Sequence, residues 1–438
     1  MNIPAHFILL ITLLVSSSKS TQLTYSLNSS DSSPSVQLIP TEKLLFNSFV
    51  DCNMAEAWIG NTFRIFPGKY GEDPVWGSAR DLKYADGQTV NEAFKSKPNQ
   101  FKTPGLPENV SPGRKGLHGA IWFETVYQDF KDRSGKTLFA LYHNENYPST
   151  LPFDSSTGKG YIDASWPEGL RGPSSAAAVC RIGLMRSIDG GESWQDKGII
   201  LEDDQPRMIL KPHNTSKTFA GGVGDPSAIA FGGYLYIFYG EYGYPGSYND
   251  NTYNPDLERT GQCITISRIP LKDLDDPAGK AKRWDGKGFN AAWNGIGQPV
   301  RNLQILRSKG GGPASFPTSK FYWGPSVSWN TYLNCWVMLM AKAEGPSWQG
   351  NSIYISFNQN KDLGKADNSQ KWSKPELLVQ EQDHILWYPS LQPLNTEESK
   401  REKYTSLKLG QEARLFFKDI QKDTSEYSST FKLRFQKK

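Results

Sequence analysis

The chain has 438 residues and a formal net charge of +4, with 37% hydrophobic and 21% charged residues. Its 13 Trp, 20 Tyr and 22 Phe exclude a solvated, disordered chain, and this length can bury a core that needs no disulfide or metal staple. So weak a charge excludes a dedicated nucleic-acid binder, which would carry a basic stripe, and neither a glycine period nor sustained heptads marks a fibrous chain.

The N-terminus reads as an export signal. Phe7 to Val15 (FILLITLLV) is an apolar run too short to span a bilayer, and SSSKS follows it. Residues 1–20 are therefore expected to be a signal peptide, 21–43 a Ser/Asn-rich linker and 44–438 a single domain. The mature protein is expected to be secreted or periplasmic, with no membrane span. Sequons at Asn28, Asn109 and Asn214 matter only if the host glycosylates. Cys52, Cys180, Cys263 and Cys335 are far apart and show no CxxC or Cys/His spacing. That argues against zinc and leaves buried thiols and one bridge equally open.

Strand-like runs then dominate. FVDCNMAEAWIGNTFRIFPGKYG, around Asp51, reads as a strand, a tight turn and a second strand. The unit recurs as IWFETVYQDFKDRSGKTLFALYHNENYP around Glu124 and as GVGDPSAIAFGGYLYIFYGEYG around Asp225. It returns as YWGPSVSWNTYLNCWVMLMAKAEG around Gly324, and a degenerate copy begins at LWYPSLQP around Tyr388. A second element follows the hairpin: CRIGLMRSIDGGESW ends at Trp194, CITISRIPLKD leads to Trp284, and SIYISFNQNKD leads to Trp372. These three Trp share an outer-strand position and read as packing residues. Each repeat supplies roughly four strands, so five copies predict an all-β, five-bladed β-propeller with four-stranded antiparallel blades. A β-sandwich would not repeat a four-strand unit.

The innermost strand of each blade lines a propeller's channel. Aligned at the residue before the Pro or its equivalent, the five positions are Asp51, Glu124, Asp225, Gly324 and Tyr388. Three carboxylates at one repeat position predict a cluster at one channel mouth, where like charges in a partly dry cleft raise at least one pKa. Carboxylates held close are the equipment of glycoside hydrolysis, one as acid and another as base or nucleophile. Two other roles suit the same residues: capping strand N–H groups, as Asp-Pro turns do, or holding a structural or channel Ca²⁺. No organic cofactor is implied.

Aromatics accompany the acids. Trp122 lies two residues before Glu124, and Trp323 and Trp387 immediately precede Gly324 and Tyr388. Flat rings of this kind can cover the C–H face of a sugar. His143 and Glu145 alternate onto one face at the end of the second strand of repeat two, and Glu241 holds the similar place in repeat three. These, with Tyr388, are candidates to bind substrate hydroxyls or assist as acid. The chain has only five His and no Ser/His/Asp set by spacing, so acyl transfer lacks support.

Ser187-Ile-Asp189-Gly-Gly191-Glu-Ser-Trp194 resembles the Asp-box, S-x-D-x-G-x-[ST]-W, of sialidases and related propellers, a peripheral structural hairpin. It implies the fold and not a sialidase activity, which would need an arginine cluster that is not readable here. Asp225-Pro226-Ser227 followed by YLYIFYGEYG resembles the inner hairpin of five-bladed glycoside hydrolases, the arabinanase, β-xylosidase and invertase-like superfamily. VDCN, YHNE, RSIDGGESW, GGVGDPS and WGPSVSWNTYLN together are similar to a group of secreted bacterial propellers, a likeness running from Phe46 to about Pro393. The resemblance implies a base or nucleophile at Asp51, and at Asp225 the aspartate that stabilises the transition state or modulates the acid. Those enzymes carry the acid Glu in a later blade, where this chain has Gly324, so the acid here would be Glu124, or Glu145 or Glu241 from a second strand.

The expected function is thus a secreted glycoside hydrolase acting on a polysaccharide or glycan in the channel mouth. The alternative is a non-catalytic propeller that binds carbohydrate or protein. The expected partner is a carbohydrate, and the chain is expected to be a monomer.

Overall fold

Apolar and β-branched residues that alternate over short runs, broken by Gly and Asn turns, can bury only one face per strand, so they stack as sheets. The computed structural model describes residues 25–26, 34–46, 50–67, 69–73, 77–80, 83–100, 120–129, 131–146, 153–154, 159–160, 179–202, 222–242, 263–303, 320–344, 348–365 and 367–437. Those residues form a five-bladed β-propeller of antiparallel, four-stranded blades, as the repeats predict.

Blade one runs outward through Ala55–Ile59, Thr62–Phe66, Lys83–Gly87 and Asn99–Gln100. Blade two uses Ala120–Gln128, Leu138–Asn146, Val179–Ser187 and Gln195–Leu201. A small hairpin, Lys69–Asp73 with Gly77–Arg80, adds to its inner edge beside Trp122. Blade three uses Val223–Phe231, Tyr234–Glu241, Cys263–Pro270 and Lys282–Arg283. Gly232 and Gly233, at φ 58° and 85°, make its tight inner turn, a backbone shape that glycine adopts without strain. Blade four uses Phe321–Asn330, Cys335–Ala343, Ser352–Asn358 and Glu376–Gln380.

Blade five differs from expectation in one respect. Ile385–Gln392, Glu412–Ile420 and Ser425–Gln436 supply three strands, and the fourth is Ser35–Phe46 from the other end of the chain. The stretch expected as a linker, 21–43, is therefore a strand from Ser35 onward. Val36, Leu38, Leu44 and Phe46 are buried, and this inward set is what holds an otherwise polar segment in the sheet. The pairing closes the ring, because the last blade cannot be completed without the N-terminal strand. The expected signal peptide and the three sequons lie outside the described residues.

Blades pack through aromatic layers. Trp284, Trp336 and Trp372 share one cluster with Phe238, whose ring meets Trp372 edge-on at 5.4 Å. Trp194 is buried against Phe66 and Phe123, at 5.6 and 4.9 Å. The motif before it is a hairpin turn in which Asp189 accepts from the amides of Glu192 and Ser193 and from the Ser193 hydroxyl. All four cysteines are free thiols, three of them buried.

Candidate active site

The repeat position that the sequence aligns has a structural cause. In blades two to five the inner strand slips register there, opposite a regular second strand. Glu124 is the residue left over between Phe123 and Thr125, which pair with Tyr142 and Leu141. In the next three blades the slip takes the form X-Pro-Ser: Asp225-Pro226-Ser227, Gly324-Pro325-Ser326 and Tyr388-Pro389-Ser390. A proline has no N–H for the ladder, so it is tolerated where the ladder is already broken. The X residue takes a left-handed backbone in all three, with φ of 49° at Asp225, 56° at Gly324 and 48° at Tyr388. That shape is easy for Gly324 and costs about 1 kcal/mol or more at a bulky side chain, a strain typical of sites where a bulge re-aims a residue. After the bulges of blades two and three, the next residue ties neighbouring blades together. Thr125 Oγ1 accepts from Ala228 N at 3.3 Å and donates to the Pro226 carbonyl at 3.2 Å, and Ser227 Oγ accepts from Val327 N at 2.9 Å.

The bulges bring Glu124 and Asp225 together, and Asp51, in the segment before the first strand of blade one, acts on both. Glu124 is 3% exposed. Its Oε2 accepts from the Asn53 amide at 2.8 Å, while Oε1 is buried with no hydrogen-bond partner among the described residues. Burial pushes its carboxyl well above the usual range, and the charges of Asp225 and Asp51 add to the rise. Asp225 is 4% exposed and is likewise raised by burial, against the pull of His143 and the hydroxyl of Tyr242. Tyr242 donates to Asp225 Oδ2, and the Asp225 amide donates to His143 Nδ1 at 3.0 Å. Asp51 is the open member, with 28% of its side chain exposed, and it is paired with Lys418 Nζ at 2.6 Å. Tyr388 stands in the same field: burial raises its phenol, and Asp225, Asp51 and Glu124 raise it further.

His143 is buried between two carboxylates. Its Nε2 lies 3.6 Å from Glu145 and its Nδ1 3.8 Å from Asp225. Burial opposes the imidazolium, but Glu145 and Asp225 outweigh it and the pKa is raised. Accepting the Asp225 amide at Nδ1 sets the neutral ring as the Nε2–H tautomer, with that proton turned toward Glu145. Trp122 packs edge-on against this imidazole at 5.5 Å. Trp323 meets Trp387 at 5.8 Å and Tyr388 at 5.3 Å, making an aromatic wall beside the acids. Trp387 is half-buried, and Lys418 Nζ sits 5.3 Å over its ring.

Glu241 is placed elsewhere. It is 5% exposed, and the fully buried Arg283 pairs with it while also donating to Tyr239 Oη at 2.8 Å and the Glu202 carbonyl at 3.1 Å. Its carboxylate holds that arginine between blades and is not turned to the acid cluster. Among the described residues no three His, Cys, Asp or Glu side chains are grouped closely enough to hold a metal ion.

Sequence reasoning missed Lys418, Tyr242, Asn53 and Trp348. Lys418 lies in the degenerate fifth repeat, and Tyr242 follows the last residue of its strand. Trp348, at φ 54°, accepts the Trp387 indole N–H at its carbonyl and meets Tyr242 edge-on at 5.8 Å.

No protein-family model matches the chain, and no curated protein matches it. Solved structures do show a likeness of shape. An arabinanase of Bacillus subtilis superposes with a TM-score of 0.42 at 11% identity, covering 89% of this chain and 95% of that one. An α-L-arabinofuranosidase of Lactobacillus brevis gives 0.44 at 11%, covering 90% and 92%. The α-L-arabinofuranosidase of Podospora anserina, solved with cellotriose, gives 0.41 at 10%, covering 91% and 96%. The propeller assignment stands on the five sheets themselves and does not lean on these likenesses.

Proposed function

We propose that this chain is a secreted glycoside hydrolase that cleaves a polysaccharide or glycan at the carboxylate end of its channel. The observation that carries the reading is the split among three clustered acids. Glu124 is buried, raised and has one oxygen without a hydrogen-bond partner among the described residues, whereas Asp51 is the most open and faces an ammonium. Two carboxyl groups with environments pushed apart are the acid/base assignment of glycoside hydrolysis.

In this reading Glu124 carries its proton on Oε1 and gives it to the leaving-group oxygen. Asp51 acts as base or nucleophile, with Lys418 fixing its orientation. Asp225, held by Tyr242 and by its own amide on His143, positions the reacting sugar and keeps Glu124 protonated through its charge. Trp387, the half-buried ring of the aromatic wall, offers its open surface to the sugar with Trp323 and Tyr388 packed behind it, and Glu145 with His143 offers hydroxyl ligands.

The test is a panel of polysaccharides and aryl glycosides with the purified protein and its Glu124→Gln, Asp51→Asn and Asp225→Asn variants. Hydrolysis that is lost in Glu124→Gln, and regained with leaving groups that need no protonation, supports the assignment. Glycan binding without cleavage in the unaltered protein would replace the enzyme with a carbohydrate-binding propeller.

A further inference from the structure

The inner strands run from the acid cluster toward a second opening. There a cavity of about 320 Å³ is enclosed by strand ends of blades one to four and by residues 402–408 of blade five. That segment follows a short helix, Glu397–Arg401, capped by Thr396, and Lys408–Leu409 then pairs in parallel with Trp329 and Asn330. The segment is pinned from above, because the Ser406 amide donates to the buried Glu56 and the Gln392 side chain contacts the same carboxyl at 3.4 Å.

One wall of the cavity is aromatic. Trp329 meets Trp336 edge-on at 4.5 Å, and Phe231 meets Trp336 at 5.8 Å. Lys361, Lys403 and Lys408 share the lining with Glu56 and Glu402. These charges do not cancel. Lys408 lies 3.9 Å from Glu402. Among the described residues, Lys403 Nζ donates to neutral acceptors only, the Gly60 carbonyl at 2.6 Å and Asn61 Oδ1 at 3.3 Å. Lys361 is exposed, its Nζ stands 5.7 Å over the Trp329 ring, and among the described residues it has no carboxylate partner. Glu56 is buried, and burial raises its pKa to about 7, so it does not supply a full negative charge near neutrality.

The volume is that of a small-molecule site, the walls are apolar and flat, and the surplus charge at the rim is positive. We propose that this opening binds a small aromatic carboxylate, its ring against Trp329 and Trp336 and its anionic head at Lys361. A neutral polyol would leave that ammonium unmatched and gain little from the apolar walls, so the ligand class differs from the one proposed for the opposite end.

The experiment is calorimetry and tryptophan-fluorescence titration of the full-length protein with 2-naphthoate, and with 2-acetylnaphthalene as its uncharged counterpart. Saturable one-to-one binding of naphthoate is expected, weakened about fivefold in Lys361→Gln while the uncharged probe is unaffected, the effect of losing one exposed ion pair. Ala230→Phe, which fills the cavity, should abolish binding of both probes; should that variant not fold, Lys361→Gln alone decides, since its site is exposed. Naphthoate affinity should survive Glu124→Gln. Absence of saturation, an unchanged affinity in Lys361→Gln, or loss of binding in Glu124→Gln would each overturn the proposal.

Discussion

Two glutamates on inner strands are buried equally and live differently. Glu124 and Glu56 are each 3% exposed, and burial raises both. Around Glu56 the neighbours are donors, the amide and hydroxyl of Ser406 and the Gln392 amide, which pull its pKa back to about 7. Around Glu124 the neighbours include Asp225 and Asp51, which push it further up, and one oxygen finds no partner among the described residues. Burial offset by donors thus makes a titrating carboxyl; burial with like charges beside it makes one that keeps its proton. The contrast follows the strands: bulges re-aim Glu124 and Asp225 at one end, whereas Glu56 lies in a regular pairing with Ile65 and serves the fold.

The comparison can be broken most severely at Glu124. Glu124→Gln should lower kcat/KM about 10³-fold on a glycoside with a poor leaving group, with little change in melting temperature. A comparable loss of stability would make Glu124 a structural acid like Glu56. At Glu56 the expected effect is on folding. Its folded pKa lies above its unfolded value, so its contribution to stability is present below about pH 4.5 and is lost as pH rises to about 7. The loss amounts to about 3 kcal/mol at most. Glu56→Gln should flatten that part of the stability curve in urea melts from pH 4 to 8; an unaltered slope would mean the carboxyl is not the titrating group.

Asp189→Ala sharpens the contrast between fold and site. It removes the acceptor for two amides and two hydroxyls, so unfolding free energy should fall by about 1–2 kcal/mol while the turnover of the folded fraction stays the same. Lost turnover with unaltered melting would place the turn in the site. Tyr242→Phe should have the smallest effect. It removes the hydroxyl that steadies the Asp225 carboxylate, which should raise the Asp225 pKa further and reduce kcat/KM about tenfold. A pH profile indistinguishable from that of the unaltered protein would remove Tyr242 from the account.

Much of this was legible in the sequence because the repeat is local. Each inner hairpin carries its own turn, and the X-Pro-Ser run marks the bulge that aims X, so Asp225, Gly324 and Tyr388 could be aligned with Glu124 and Asp51 without a fold. What depended on distant pairing could not be read. Ser35–Phe46 looks like linker because its partner strand lies at the other end of the chain, where Ser35 pairs with Gln436, 401 residues away. Lys418 pairs with Asp51 only once the ring closes, and Glu241 looks like a mouth residue until Arg283, two strands further out, takes its carboxylate.

The central claim is that Glu124 holds a proton at neutral pH. Infrared difference spectroscopy of the unaltered protein against Glu124→Gln at pH 7 tests it without any substrate. The account predicts a protonated carboxyl C=O band that disappears in the variant. A lost carboxylate band in its place would show Glu124 ionised and contradict its role as the acid.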